Sequence, residues 1–255
     1  MGFIDIDRVD LTYGGQSGAG DGTGTLALAD ASLSVGKDEF VAVVGPSGCG
    51  KSTIFNMVAG LELPSTGEIA LDGKSIVGMS GVTAYMLQKD LLLPWRSIIN
   101  NVILGMEIDR VPKAQSLDRA RPLLERYGLG GFEDRYPSEL SGGMRQRAAL
   151  LRTMLCDRNI VLLDEPFAAL DAQTRTGLQE WLLDVWDDFR KTVVFVTHDI
   201  DEAIYLSDRI VIMSSRPGRI LNEFDVDLER PRKRSIVTQP AFIRYKEYIL
   251  GMHAS

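Results

Sequence analysis

Residues 45–53 read Gly45-Pro46-Ser47-Gly48-Cys49-Gly50-Lys51-Ser52-Thr53 and match G-x-x-x-x-G-K-[ST]. Few nine-residue segments constrain a chain more tightly. The glycines let the backbone wrap so that its N–H groups converge on an anion, and a helix N-terminus behind them adds partial positive charge. That mechanism needs a buried strand before the loop and a helix after it. Both are legible: Phe40-Val41-Ala42-Val43-Val44 is a short β-branched apolar run, and a helix is expected from Lys51 to about Gly60. In this setting the loop contacts a nucleotide triphosphate along its length, Pro46, Ser47, Cys49 and Thr53 included. Lys51 reaches the β- and γ-phosphates, and the Ser52 hydroxyl ligates Mg²⁺ through oxygen. Cys49 reads as a small residue that the loop tolerates, and a thiol modifier reaching it should block the nucleotide.

Composition narrows the class. The chain has 255 residues, 45% hydrophobic and 25% charged, which is the make-up of a globular protein. A formal charge of -7 argues against a nucleic-acid footprint and against broad adhesion to anionic lipid. No run approaches the roughly 20 apolar residues that a bilayer span requires. The opening MGFIDIDRVD is acidic and alternating, unlike a signal peptide, and Ile6 stands where myristoylation needs Ser or Thr. Two distant cysteines, Cys49 and Cys156, make no disulfide framework and suit a reducing compartment.

Periodicity predicts the element order. Strands are expected over Ile4–Leu11, Leu26–Val35, Glu68–Leu71, Val82–Leu87, Ile160–Leu163, Thr192–Val196 and Arg209–Met213. Helices are expected from about Ser97 to Thr153, interrupted by Pro112, Gly128, Gly130, Gly131 and Pro137, and again over Asp171–Arg190 and Ile200–Leu206. Gly14–Gly24 reads as a flexible hairpin loop. The cluster Arg230, Arg232, Lys233 and Arg234 reads as a solvated basic turn, and the last thirty or so residues as poorly ordered. Strands alternating with helices imply an α/β fold with a mostly parallel sheet covered on both faces.

Two further segments carry chemistry. Ile160-Val161-Leu162-Leu163-Asp164-Glu165-Pro166 is an apolar strand that ends in paired carboxylates, and desolvated charge is costly without a partner. Downstream of a phosphate loop, Asp164 suits the metal shell and Glu165 suits a general base for the attacking water. Leu140-Ser141-Gly142-Gly143-Met144-Arg145-Gln146-Arg147 opens a helix. Ser141 can cap it, and Gly142 and Gly143 let a phosphate approach its N-terminus.

The order of these segments resembles that of the ATP-binding-cassette ATPases, from about Ile4 to Phe224. The resemblance implies a RecA-like phosphate-loop core with an antiparallel β edge at about 1–88 and 154–225. It places an inserted helical subdomain at about 89–153 and a tail at 226–255. It also implies two copies head to tail, so that Ser141, Gly142 and Gly143 contact the γ-phosphate bound by the other copy. Gln88 matches the glutamine that senses metal and lytic water, and His198 the switch histidine at the γ-phosphate. Asp171 lies in a loop, Ala169-Leu170-Asp171, that couples the two sites. Tyr13 lies where an aromatic stacks on adenine, with a partly buried strand aromatic as the alternative reading.

Lys89-Asp90-Leu91-Leu92-Leu93-Pro94-Trp95-Arg96, the Arg216-Pro217-Gly218-Arg219-Ile220 element and the short C-terminus resemble importers of nitrate, sulfonates, taurine and pyrimidine precursors. That resemblance implies ATP and Mg²⁺ as cofactors and a membrane permease docked near Leu91–Trp95. It further implies a solute-binding protein acting indirectly, and a peripheral site on the cytoplasmic face of the membrane. The alternatives are a soluble cassette ATPase without a permease, or an exporter ATPase. A nucleoside kinase or GTPase is excluded by Ser141–Gly143 and His198 in their order.

Overall fold

The computed structural model describes residues 2–14 and 24–253. Most of the Gly14–Gly24 segment therefore lies outside the described residues. The chain opens with strands β1 (Ile4–Tyr13), β2 (Thr25–Val35) and β3 (Phe40–Val44), helix α1 (Lys51–Val58), and strands β4 (Thr66–Leu71), β5 (Lys74–Ser75) and β6 (Ala84–Met86). Helices α2 (Ile98–Val102), α3 (Leu104–Ile108), α4 (Lys113–Arg126) and α5 (Gly142–Met154) follow, then β7 (Ile160–Asp164) and α6 (Ala172–Phe189). The chain continues through β8 (Thr192–Thr197), α7 (Ile200–Leu206), β9 (Arg209–Met213), β10 (Ile220–Asp225) and α8 (Pro240–His253). Contacts divide it into two units, Met1–Thr83 with Lys191–Ser255, and Ala84–Arg190. The second unit joins the helices to β6, β7 and α6.

In the first unit, β3 lies between β8 and β9 with both pairings parallel, as in Val43↔Val196 and Val43↔Val211, and β10 adds antiparallel to β9. All five residues of β3 are buried. Apolar side chains taken fully out of water contribute about 1.5–3 kcal/mol each, which is why this strand is an unbroken apolar run. A separate antiparallel sheet runs β2-β1-β4-β5. Along β1 the buried residues are Ile4, Ile6, Val9 and Leu11, a half-buried alternation broken by a register shift between Ile6 and Val9. Asp10 ties three strands together: its carboxylate accepts from the Asp30 amide at 2.7 Å and from the Thr66 hydroxyl at 2.6 Å.

In the second unit, β6 and β7 pair in parallel, with Ala84↔Val161, Tyr85↔Leu162 and Met86↔Leu163. Helix α5 buries Ala148, Ala149, Leu150, Leu151 and Met154; α2 buries Ile98, Ile99 and Val102. Helix α6 is capped by Asp171, whose side chain accepts from the amides of Gln173 and Thr174. It buries Leu178, Trp181, Leu182, Val185 and Trp186 at helical spacing. No helix among the described residues is long and apolar enough to cross a membrane.

The tail departs from expectation. Residues 240–253 form α8, with Phe242 and Ile249 buried. Nor is the basic cluster a solvated turn: Arg232 is 6% exposed. Its guanidinium donates to the carbonyls of Ile204, Tyr205 and Ser207 at the C-terminal end of α7, and to those of Val226 and Leu228. Burial, with the like charge of Arg230 next, pulls its pKa down to about 10. The orphan carbonyls at a helix end need donors, and one planar five-donor fork supplies several of them here. Arg230 pairs with Asp208 at 2.7 Å. Composition marked these arginines as basic but carried no trace of which carbonyls they would meet.

Candidate active site

The phosphate loop joins β3 to α1 in the first unit. Gly48 (φ 77°) and Gly50 (φ 100°) hold left-handed backbone that a side chain would strain. A Cβ at Gly48 would meet nothing within 4 Å, so the mouth of the loop is open there. The rear is closed: a Cβ at Gly50 would stand 2.6 Å from Leu28 Cδ2. Helix α1 has no side-chain cap at Gly50, which leaves the amides of its first turn for a ligand. The Lys51 ammonium is buried and turns onto the loop itself, donating to the carbonyls of Gly45 at 2.7 Å and Pro46 at 2.9 Å. Ser52 is exposed. Cys49 is buried, with its sulfur 3.8 Å from Lys51 Nζ.

Tyr13 is 41% exposed, and its hydroxyl donates to Glu62 at 2.8 Å and lies 3.5 Å from the Thr53 hydroxyl. Burial is the largest influence raising its phenol pKa. The ring thus stands beside the first turn of α1. His198 is exposed on the turn from β8 to α7. Its neighbours fix that turn. Thr197 donates its hydroxyl to Glu202 at 2.7 Å and accepts the Asp199 amide at 3.0 Å, while Asp199 caps α7 through the amides of Asp201 and Glu202.

In the second unit the register of β6 and β7 assembles the acidic residues with two partners. Side chains alternate along a strand, so Tyr85, opposite Leu162, shares a face with Asp164 two residues on. The Tyr85 hydroxyl donates to Asp164 Oδ2 at 3.3 Å. Burial first, and the carboxylate's charge second, push the Tyr85 phenol well above its ordinary range, so it remains a donor. Two residues beyond Met86 and Leu163, Gln88 Nε2 donates to Glu165 Oε2 at 3.4 Å. Glu165 has φ 44°, a left-handed conformation that costs a non-glycine residue about 1–2 kcal/mol and turns the chain off the strand end. The turn is pinned by the Ala168 amide on the Glu165 carbonyl at 3.2 Å, and by Gln146 on the carbonyl of Pro166.

Ser141 caps α5, accepting the Met144 amide at 3.3 Å. A Cβ at Gly143 would lie 2.6 Å from Thr174 Cγ2, so the start of α5 packs on the first turn of α6, the turn that Asp171 caps. Nearby, the carbonyls of Asp90 and Leu91 accept from Arg152 at 2.6 and 2.8 Å, and Asp90 also pairs with Arg145. Fully buried Asn101 accepts the Leu93 amide at 2.7 Å and donates to the carbonyls of Leu93, Arg96 and Ser97. So braced, the segment leaves Leu91 51% and Trp95 72% exposed, and Leu91 lines a cavity of about 660 Å³ with Gln88, Asp90, Gly142, Arg145 and Ala169.

Sequence reasoning missed Tyr85, Gln146, Asn101 and Arg152. Period-two alternation from Asp164 would have found Tyr85 had the β6–β7 register been known; the others act on backbone carbonyls, which leave no mark in sequence.

Residues 28–168 match the family model for the ABC transporter. The chain is 38% identical over 256 residues to the taurine import ATP-binding protein TauB of Pseudomonas putida, covering 98% of this chain and 95% of the relative. It is 46% identical over 233 residues to the aliphatic sulfonates import ATP-binding protein SsuB of Bacillus cereus, covering 91% and 89%. Among solved structures, a dimeric post-hydrolysis state of the ATP-binding cassette MJ0796 bound to ADP and Pi superposes with a TM-score of 0.73 at 28% identity, covering 89% of this chain and all of the other. With its phosphate loop, paired strand-end acids and Ser141-Gly142-Gly143 helix start, this chain belongs to the ABC transporter family as one of its ATP-binding ATPase subunits.

Proposed function

We propose that this chain, paired with a second copy, hydrolyses ATP at the cytoplasmic face of a membrane permease and so drives import of a small solute. The observation that carries the reading is the Gln88–Glu165 contact at the ends of β6 and β7. It gives a carboxylate poised for water a neighbouring amide to orient it. The relatives' names, taurine import and aliphatic sulfonates import, point to a small sulfonate as the solute class.

The residues fit the ligands. An uncapped helix start and an open Gly48 suit a triphosphate. Lys51 would exchange the Gly45 and Pro46 carbonyls for β- and γ-phosphate oxygens, and the Tyr13 ring would stack on adenine. Among the described residues no group of three His, Cys, Asp or Glu forms a metal cage. Ser52, Asp164 and Gln88 offer a few hard oxygens, the donor set of a cation that keeps water and phosphate oxygens in its shell. They would hold Mg²⁺, which when bound neutralises charge on the phosphates. Glu165 takes the proton of the attacking water, Gln88 orients Glu165, and His198 contacts the γ-phosphate. Ser141, Gly142 and Gly143 of the second copy complete the site, and Asp171 couples the two. The exposed Leu91 and Trp95 receive the permease, the kind of docking an apolar groove offers a short helix.

Glu165→Gln tests the reading. The variant should bind ATP like the parent and lose at least about tenfold in turnover. Normal turnover rejects Glu165 as base. Purification from membranes should recover a multi-span permease with the chain; recovery without one favours a soluble cassette ATPase.

A further inference from the structure

We propose that Tyr85 is a positioning residue for Asp164, its hydroxyl fixing the carboxylate through Oδ2 for the metal that the strand end serves. This rests on the assignment of Asp164 to the metal shell. The β6–β7 register sets the two side chains on one face, Asp164 lying two residues beyond Leu162, the partner of Tyr85. The hydroxyl lies 3.3 Å from Oδ2. That is longer than the usual O–H···O bond, so the contact steers the carboxylate more than it clamps it. Asp164 is 6% exposed and Tyr85 is half-buried, so solvent competes weakly for either group. Packing alone would be served by phenylalanine. A hydroxyl in this position is costly without an acceptor, and the carboxylate offers it one. Partners that orient a metal-binding carboxylate commonly change metal affinity by about 10–100-fold when removed.

The test uses the full chain and a fluorescent, non-hydrolysable ATP analogue. The readout is the Mg²⁺ concentration giving half-maximal analogue binding, measured for the parent, Tyr85→Phe, Asp164→Asn and the double variant. Analogue affinity in EDTA and thermal unfolding are measured alongside. Tyr85→Phe should raise the half-saturating Mg²⁺ about tenfold and leave affinity in EDTA unchanged. The double variant should be no worse than Asp164→Asn alone, because the hydroxyl acts only through that carboxylate. An unchanged Mg²⁺ requirement in Tyr85→Phe, with a raised one in Asp164→Asn, overturns the positioning role and spares the assignment of Asp164. Equal loss in EDTA and in Mg²⁺ marks Tyr85 as structural and also overturns it. An unchanged requirement in Asp164→Asn removes Asp164 from the metal shell and the inference with it.

Discussion

A Cβ at Gly218 would stand 1.9 Å from the carbonyl oxygen of Cys49 in the phosphate loop. Gly218 cannot retreat freely: its amide donates to Ala27 at 2.9 Å and its carbonyl accepts from Ala29 at 3.0 Å, both in β2. The Arg216–Ile220 element is thus a backstop for the loop. Gly218→Ala should displace the loop, lower nucleotide affinity and cost about 1–3 kcal/mol of stability, as overpacking does. A denaturant melt and a nucleotide titration of the same variant check both effects.

Asn101→Ala removes four hydrogen bonds that shape residues 93–97 and strands buried backbone groups, each costing about 1–3 kcal/mol. Trp95→Ala touches a side chain that is 72% exposed and should move stability by less than about 0.5 kcal/mol. Both variants should keep nucleotide binding and lose permease-coupled turnover. Urea midpoints and ATPase assays with the permease in vesicles separate the two.

Arg232→Met should destabilise the chain by about 2–3 kcal/mol, because the carbonyls of Ile204, Tyr205 and Ser207 lose a charged donor. A solvated turn would tolerate the change within about 0.5 kcal/mol. The urea midpoint decides between them.

The Asp10 carboxylate is held below its ordinary value of 3.8, first by the Thr66 hydroxyl and then by the Asp30 amide. Since the folded pKa is depressed, the stabilisation is present in full above the unfolded value and fades as pH falls through the folded one. Asp10→Asn should therefore be less stable than the parent at pH 7, and the gap should narrow below about pH 3.8. Urea melts at several pH values read the difference.

Local pattern foretold much of this molecule. Strand β3 and the phosphate loop were legible because the loop's chemistry demands a buried strand before it and a helix after it. Helix α7 runs over Ile200–Leu206 as its spacing predicts, and Ser141 caps α5 as expected. What escaped depends on residues distant in the chain. Strand β10 reads Ile220-Leu-Asn-Glu-Phe-Asp225, and only pairing with β9 makes it a strand. Helix α8 is ordered where its buried residues Phe242 and Ile249 find a core that composition cannot disclose. Arg232 looked like surface charge because its acceptors are main-chain carbonyls. Gly218 drew notice as part of a motif, but its reason, the carbonyl of Cys49, is a close approach in three dimensions.

The three-residue length of β6 limits how this edge can drift over generations. Tyr85 and Gln88 meet Asp164 and Glu165 through one short alignment, so deleting Met86 or Leu87 would shift Tyr85 and Gln88 relative to one another and break at least one of the two pairs. Point substitutions can retune either pair alone, but a change of length here cannot keep both.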